Sequence, residues 1–366
     1  MTDFTGIAQP TLLLDERKCK ANIACMAEKA KAANVIFRPH FKTHQSHEIG
    51  RWYRDAGVRC ITVSSVKMAE YFANDGWEDI TIAFPVNIRE ASTINLLAKK
   101  TKLNILIASS DNLENIRGAI DSGVSFFIKI DSGYHRTGFN PENISEIKEC
   151  IHTLSDGGKM RFAGFLTHSG HTYHAKSKNE IAAIHTNTLH IFSALRKTFP
   201  DTEIIFSLGD TPSCSLAESF AGADEIRPGN FVFYDAQQLM LGSCREEQIA
   251  VCMACPVVAQ HAERNEMIIY GGAVHFSKDK VTLPNGESVF GLCATINENG
   301  WEIIPDAYLV AVSQEHGIIR MPASGFSSYR SGSLIGVIPA HACLTADLMK
   351  AFQTTEGKKI SMAGYL

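Results

Sequence analysis

The sequence predicts an α/β protein: a (β/α)₈ TIM barrel followed by an additional C-terminal antiparallel β domain. Three observations carry that expectation. Up to about residue 243, eight short apolar runs rich in β-branched residues alternate with segments of helical spacing. Beyond it the texture changes to alternating apolar and polar runs separated by Gly, Pro and Asn turns. No Gly-x-Gly-x-x-Gly turn follows the first run, which weighs against a doubly wound sheet, the alternative arrangement of alternating strands and helices.

In chain order, the run Thr11-Leu12-Leu13-Leu14-Asp15 precedes the first helix and is expected to pair with the second domain. Barrel strands are expected over residues 34–37, 60–63, 80–84, 103–107, 126–130, 162–166, 203–206 and 224–226. Between them, helical spacing covers 65–75, 89–100, 111–122, 141–154, 179–198 and 211–220, with Asp111 and Thr211 as capping residues. Alternation with short connections implies parallel strands and right-handed crossovers, and eight such units suggest closure. From there on, strands are expected over 248–258, 266–270, 281–283, 289–293, 301–304, 308–313 and 334–338, with turns at Pro284-Asn285-Gly286 and 297–300. The domains are therefore expected to be 16–243 for the barrel, and 244–366 together with 1–15 for the β domain.

A chain of 366 residues, 45% hydrophobic and 20% charged, can build a large core or two domains. A net charge of -4 and a pI near 6.4 provide no basic stripe for a phosphate backbone, so nucleic acid is not an expected partner. Met1-Thr2-Asp3-Phe4 lacks the basic and apolar regions of a signal peptide, and apolar runs such as Tyr308 to Val312 are too short to span a bilayer. The expected address is cytoplasmic, with no membrane partner. Ten scattered cysteines then read as buried small hydrophobes rather than disulfides, with Cys343 as the exception.

Chemistry in such barrels is mounted at the carboxyl ends of the strands, and the unusual polar residues cluster there. Lys42 follows the first strand within Arg38-Pro39-His40-Phe41-Lys42-Thr43-His44. Walled by Phe41, with Arg38 and His40, His44 and His47 close in sequence, its amine is a candidate Schiff-base nucleophile. An ordinary solvated lysine is the alternative. Arg136 lies in the loop after the fifth strand, and His168 and Tyr173 follow the sixth. Gly209 and Thr211 follow the seventh, and Gly229 and Asn230 the eighth, where barrels commonly bind phosphate through backbone N–H groups. An amine on one side of the mouth and a phosphate site on the other suit an aldehyde cofactor with a phosphate handle, which describes pyridoxal 5'-phosphate. Tyr173, Arg136 or His168, and the glycine loops supply partners for its ring nitrogen, phenolate and phosphate.

The second signal is Pro339-Ala340-His341-Ala342-Cys343. In an extended strand residues two apart share a face, so His341 and Cys343 could ligate one divalent ion. A thiolate and an imidazole favour Zn²⁺, with Mn²⁺ or Mg²⁺ as alternatives. A buried cysteine beside a hydrogen-bonded histidine is the other reading. His40-x₃-His44 has metal spacing but straddles a strand-to-helix loop.

These motifs resemble the D-serine dehydratase and D-threonine aldolase family of fold-type III pyridoxal-phosphate enzymes along nearly the whole chain. The carriers also include Asp131-Ser132-Gly133 with Arg136-Thr137-Gly138, His168-Ser169-Gly170 with Tyr173, Ser207-Leu208-Gly209, Arg227-Pro228-Gly229 and Gln314-Glu315-His316-Gly317. The resemblance implies an alanine-racemase-like barrel in a homodimer with the active site at the subunit interface. It also implies Lys42 as the Schiff-base lysine, Tyr173 as the pyridine-nitrogen partner, Thr211, Gly229 and Asn230 as phosphate contacts, and His341 with Cys343 as the metal pair. Aldolases of this family generally carry His-x-Asp and the dehydratases His-x-Cys. This chain has cysteine, although Leu344, Ala346-Asp347 and Asp210 depart from the dehydratase pattern.

The implied activity is β-elimination from a D-3-hydroxy amino acid, giving a 2-oxo acid and ammonia. Retro-aldol cleavage to glycine and an aldehyde is the alternative. An amino-acid racemase needs no metal, and a cofactor carrier of the same barrel type would lack the second domain.

Overall fold

The computed structural model describes residues 6–364, so the Met1–Phe4 stretch and the last two residues assigned above to the β domain lie outside the described residues. The chain divides into two compact units. One holds residues 24–42 and 49–229; the other holds residues up to 23, 43–48 and those from 230 on.

In the first unit eight parallel strands, Ile36–Phe37, Ile61–Val63, Asp79–Pro85, Lys102–Ile107, Val124–Lys129, Met160–Leu166, Ile205–Leu208 and Glu225–Ile226, are hydrogen-bonded in chain order. The last pairs with the first. The ring closes just past the first strand, where Thr62 N–H donates to Pro39 O (2.9 Å) and Phe41 N–H to Thr62 O (2.8 Å). Sequential order leaves no point at which the strand order reverses, which removes the doubly wound alternative. The middle strands are buried on both faces, and Leu106, Phe127, Ala163 and Leu166 form one core cluster with Ile205 packed against it. Such two-sided burial is why these segments read as continuous apolar runs.

Helix Val66–Asn74 opens on Ser65, whose side chain accepts from Met68 N–H at 3.1 Å. Two expected caps move by one residue. Asn112, not Asp111, precedes helix Leu113–Ala119, and Asp210 rather than Thr211 caps helix Thr211–Leu216, accepting Ser213 N–H at 2.7 Å. A carboxylate is the stronger acceptor for that N–H, and Pro212 in the first turn has no donor to satisfy.

The second unit is a nine-stranded, mainly antiparallel sheet. Its order is Glu266–Tyr270, His316–Arg320, Gly300–Val312, Gly291–Asn297, Leu334–Pro339, Val251–His261, Thr11–Leu14, Ala351–Thr354 and Lys359–Ser361. Thr11–Leu14 pairs antiparallel with Val251–His261, Leu12 opposite Met253, and parallel with Ala351–Thr354. The runs expected at 301–304 and 308–313 form one strand, Gly300–Val312, interrupted by a bulge in which Asp306 takes a φ of 55°.

Candidate active site

The loop carrying Lys42 is anchored by the residues just before it. Arg38 is buried against Glu225 Oε2 and Asp79 Oδ1, each at 2.5 Å. Burial opposes its charge, but the two carboxylates outweigh it and raise the Arg38 pKa. Phe41 is wholly buried in an aromatic cluster with Tyr53 (4.9 Å), Phe72 (4.9 Å) and Trp77 (5.0 Å). Burying such a ring is worth about 1.5–3 kcal/mol, with more from edge-to-face contacts. Lys42 itself is exposed, and its backbone N–H lies 3.3 Å from His40 Nδ1.

The loops after the fifth and sixth strands interlock through Tyr134. Its ring fills the space a side chain on Gly170 would need, since a Cβ there would sit 2.4 Å from the ring. The Arg136 guanidinium lies 5.1 Å over the ring, His171 stacks at 6.2 Å and His168 meets it edge-on at 6.1 Å. Asp131 ties the loop by accepting the N–H groups of Gly133 (2.9 Å) and His135 (3.0 Å).

His168 Nδ1 lies 2.9 Å from the Gly209 carbonyl and donates to it, which leaves Nε2 as the acceptor of the neutral ring. Burial, then the charges of Lys42, Lys129, Arg136 and Arg227, hold His168 well below its ordinary pKa. His40 is depressed by burial and by Lys42, Arg227, His168 and Arg136. Lys129, 5% exposed at the end of its strand, is brought to about 7 by burial and by Arg227 and Arg136. The barrel mouth is thus a cationic site with neutral imidazoles.

After the seventh and eighth strands, Arg227 Nε donates to Ser207 Oγ (2.6 Å), which donates to Glu225 Oε1 (2.6 Å), and Arg227 also bonds the Thr167 carbonyl. The guanidinium covers Gly209, where a Cβ would lie 3.0–3.1 Å from it. Asp210 Oδ1 also accepts from Thr172 Oγ1 at 3.0 Å, and burial raises the carboxyl pKa. Thr211, at the start of helix Thr211–Leu216, and Gly229 are buried after these strands, and Tyr173 is half-buried in the short helix Gly170–His174. The first unit therefore gathers Lys42, Arg136, His168, Tyr173, Gly209, Thr211 and Gly229 in the segments that follow its strands.

His341 and Cys343 do not lie in an extended strand as the sequence suggested. The strand ends at Pro339, His341 is the extended N-cap residue of helix Ala342–Met349, and Cys343 is in its first turn. The N-cap geometry still leaves the two side chains close enough to couple electrostatically. Burial lowers the His341 pKa, but Cys343 and Asp235 outweigh it and hold it well above the ordinary value. Cys343 Sγ lies 3.3 Å from Thr43 Oγ1 and 3.7 Å from Asn230 Nδ2. The Asn230 amide also donates to Asp235 Oδ2 at 2.6 Å, so its side chain serves Asp235 and Cys343, and a phosphate would draw on its backbone.

Both implied groups fit the residues present. The barrel mouth offers an exposed amine, a buried Thr167 Oγ1 without a hydrogen-bond partner among the described residues, and a backbone turn at Gly209 held free of Cβ. These suit pyridoxal phosphate. An imidazole and a thiol have the chemistry of zinc ligands, while no group of three or more His, Cys, Asp or Glu among the described residues could hold an ion. Sequence reasoning passed over Lys129, Tyr134 and Asp235. A lysine ending an apolar strand and a lone carboxylate after Phe231-Val232-Phe233-Tyr234 were the available signals.

A closed parallel barrel with a lysine after its first strand and a cationic mouth defines a cofactor-binding barrel enzyme. The chain belongs to the alanine racemase N-terminal domain family, which matches residues 14–237. Residues 250–355 match a serine dehydratase domain, which places the chain among fold-type III pyridoxal-phosphate enzymes. It is 28% identical to D-serine dehydratase of Dictyostelium discoideum, covering 96% of this chain and 94% of that one. It is 28% identical to D-threo-3-hydroxyaspartate dehydratase of Delftia sp. strain HT23 over 94% and 93% of the two chains. The solved structure of that enzyme superimposes with a TM-score of 0.90 at 25% identity, covering 100% of both. A cysteine-to-alanine variant of it has been solved in the metal-free form, with a TM-score of 0.89 at 24% identity over 99% of both chains. D-threonine aldolase of an Arthrobacter species is 23% identical over 93% of this chain and 86% of its own.

Proposed function

We propose that this protein is a pyridoxal-phosphate- and metal-dependent lyase that eliminates the 3-hydroxyl of D-3-hydroxy amino acids such as D-serine or D-threonine, giving a 2-oxo acid and ammonia. The observation that carries the reading is the full-length likeness to two dehydratases in a chain that pairs His341 with Cys343. Bound pyridoxal phosphate would supply the electron sink for the Cα carbanion, and a zinc ion the Lewis acidity that eases departure of hydroxide. Lys42 would hold the cofactor and take the Cα proton on its amine. Arg136, His168 and Tyr173 would orient the ring, with His168 Nε2 presented as an acceptor. Gly209, Thr211, Gly229 and the Asn230 backbone would bind the phosphate. His341 and Cys343 would hold the ion, leaving positions for the substrate oxygen.

The likeness to D-threonine aldolase favours a second reading, in which a base removes the proton of the 3-hydroxyl and the Cα–Cβ bond breaks. D-Threonine decides between the two. 2-Oxobutyrate and ammonia are expected; glycine and acetaldehyde would replace elimination with retro-aldol cleavage, and D/L interconversion alone would make the protein a racemase.

Barrel residues 16–243 and a β domain of 244–366 with 1–15 are the division of labour this reading assigns. Ten free thiols support a cytoplasmic site. A homodimer with its active site at the subunit interface completes the proposal, and sedimentation at about twice 40.2 kDa is its expected signature.

A further inference from the structure

The Asp235 carboxylate is fully buried, and no role in the reaction has been assigned to it. A buried carboxylate demands compensation. Asp235 receives it from three hydrogen bonds and a nearby imidazole. Oδ1 accepts Gln238 N–H at 2.9 Å; Oδ2 accepts Asn230 Nδ2–H at 2.6 Å and Ala342 N–H at 2.9 Å, and faces His341 Nδ1 at an ion-pair separation of 3.4 Å. The same oxygen thus meets the imidazole of one candidate ligand and an amide that reaches the sulfur of the other.

We propose that Asp235 is the positioning residue of the metal pair: its Oδ2, facing His341 Nδ1, accepts the Nδ1–H hydrogen bond when the site is loaded and so orients the ring with Nε2 toward the ion. The inference rests on the reading of His341 and Cys343 as metal ligands. A ligating histidine needs its other nitrogen held, because a free ring samples both tautomers and many orientations, and a carboxylate on that nitrogen also makes Nε2 a better donor. The alternative role for Asp235 is purely architectural. It caps helix Ala236–Met240 through Gln238 and the start of helix Ala342–Met349 through Ala342.

The two roles separate in a zinc titration of chelator-stripped protein against a chromophoric competitor, with circular dichroism recorded alongside. Asp235→Asn keeps the side chain's size but replaces the anionic acceptor facing Nδ1 with a neutral, weaker one; it is expected to weaken zinc binding by about 10- to 100-fold. Ala342→Pro deletes the cap N–H at the first helical position, where proline suits the backbone and the preceding residue is already extended; its ring enters a buried position, and circular dichroism reports whether the helix accepts it. Its zinc affinity is expected to stay within about threefold of wild type, against the larger loss for Asp235→Asn. Wild-type affinity in Asp235→Asn, or equal losses in both variants with the helix intact, would assign the carboxylate to capping and overturn the inference. Should the wild-type protein itself bind no zinc, the metal reading fails first, which is a separate and recognisable result.

Discussion

At the residue scale, Lys42 is legible from sequence because a lysine where a strand ends needs only one boundary to be right. Lys129 and Tyr134 were not, because their roles arise when distant loops meet. Lys129 falls from the ordinary 10.5 to about 7, so between those values the folded chain carries a neutral amine and the unfolded chain a protonated one. The unfolded state then binds more protons, and stability rises with pH across that window and is lost again as pH falls to about 7. The urea midpoint of wild type relative to Lys129→Met is expected to climb from pH 7 to pH 9; parallel profiles would show the lysine charged throughout. For Tyr134 the probe is Gly170→Ala, whose Cβ meets the ring at 2.4 Å. Overpacking of that kind costs about 1–3 kcal/mol. Because the displaced ring lies under Arg136 and beside His168, pyridoxal phosphate affinity, read by fluorescence titration, should fall together with the melting temperature. Unchanged affinity would remove Tyr134 from the site.

At the element scale, the barrel strands were readable because burial on both faces forces continuous apolar runs. What lies inside the ring was not readable. Glu225 occurs in an expected strand with nothing to mark it, yet closure of the sheet places it between Arg38 and Ser207, with Arg227 beyond. Removing its charge leaves Arg38 buried with Asp79 as its remaining carboxylate partner. Glu225→Gln is therefore expected to destabilise the barrel by about 3–5 kcal/mol in urea unfolding, far beyond a surface substitution. A loss below about 1 kcal/mol would mean that water reaches the pair and screens it. The same limit on sequence reading explains why His341 and Cys343 were expected in a strand. Ala342-Cys343-Leu344-Thr345-Ala346 suits a helix or a strand, and at the helix start the carboxylate of Asp235, distant in sequence, takes up the Ala342 N–H.

For the whole molecule, the residues assigned to the cofactor and those assigned to the metal fall almost entirely in different compact units. Lys42, Arg136, His168 and Gly209 belong to the barrel unit, His341, Cys343 and Asp235 to the sheet unit. Each unit has its own core and its own polar scaffold, so the two groups should be separable by loading. Dialysis against a strong chelator is expected to abolish elimination while leaving the visible Schiff-base absorbance of the bound cofactor. Lys42→Ala should do the reverse, erasing that band while zinc is retained at wild-type stoichiometry. A racemase of this fold makes a different forecast, since its turnover would survive the chelator. If stripping the metal also strips the cofactor, the units do not load independently, and the assignment of Asn230 to both the phosphate backbone and the Cys343 sulfur becomes the first place to look.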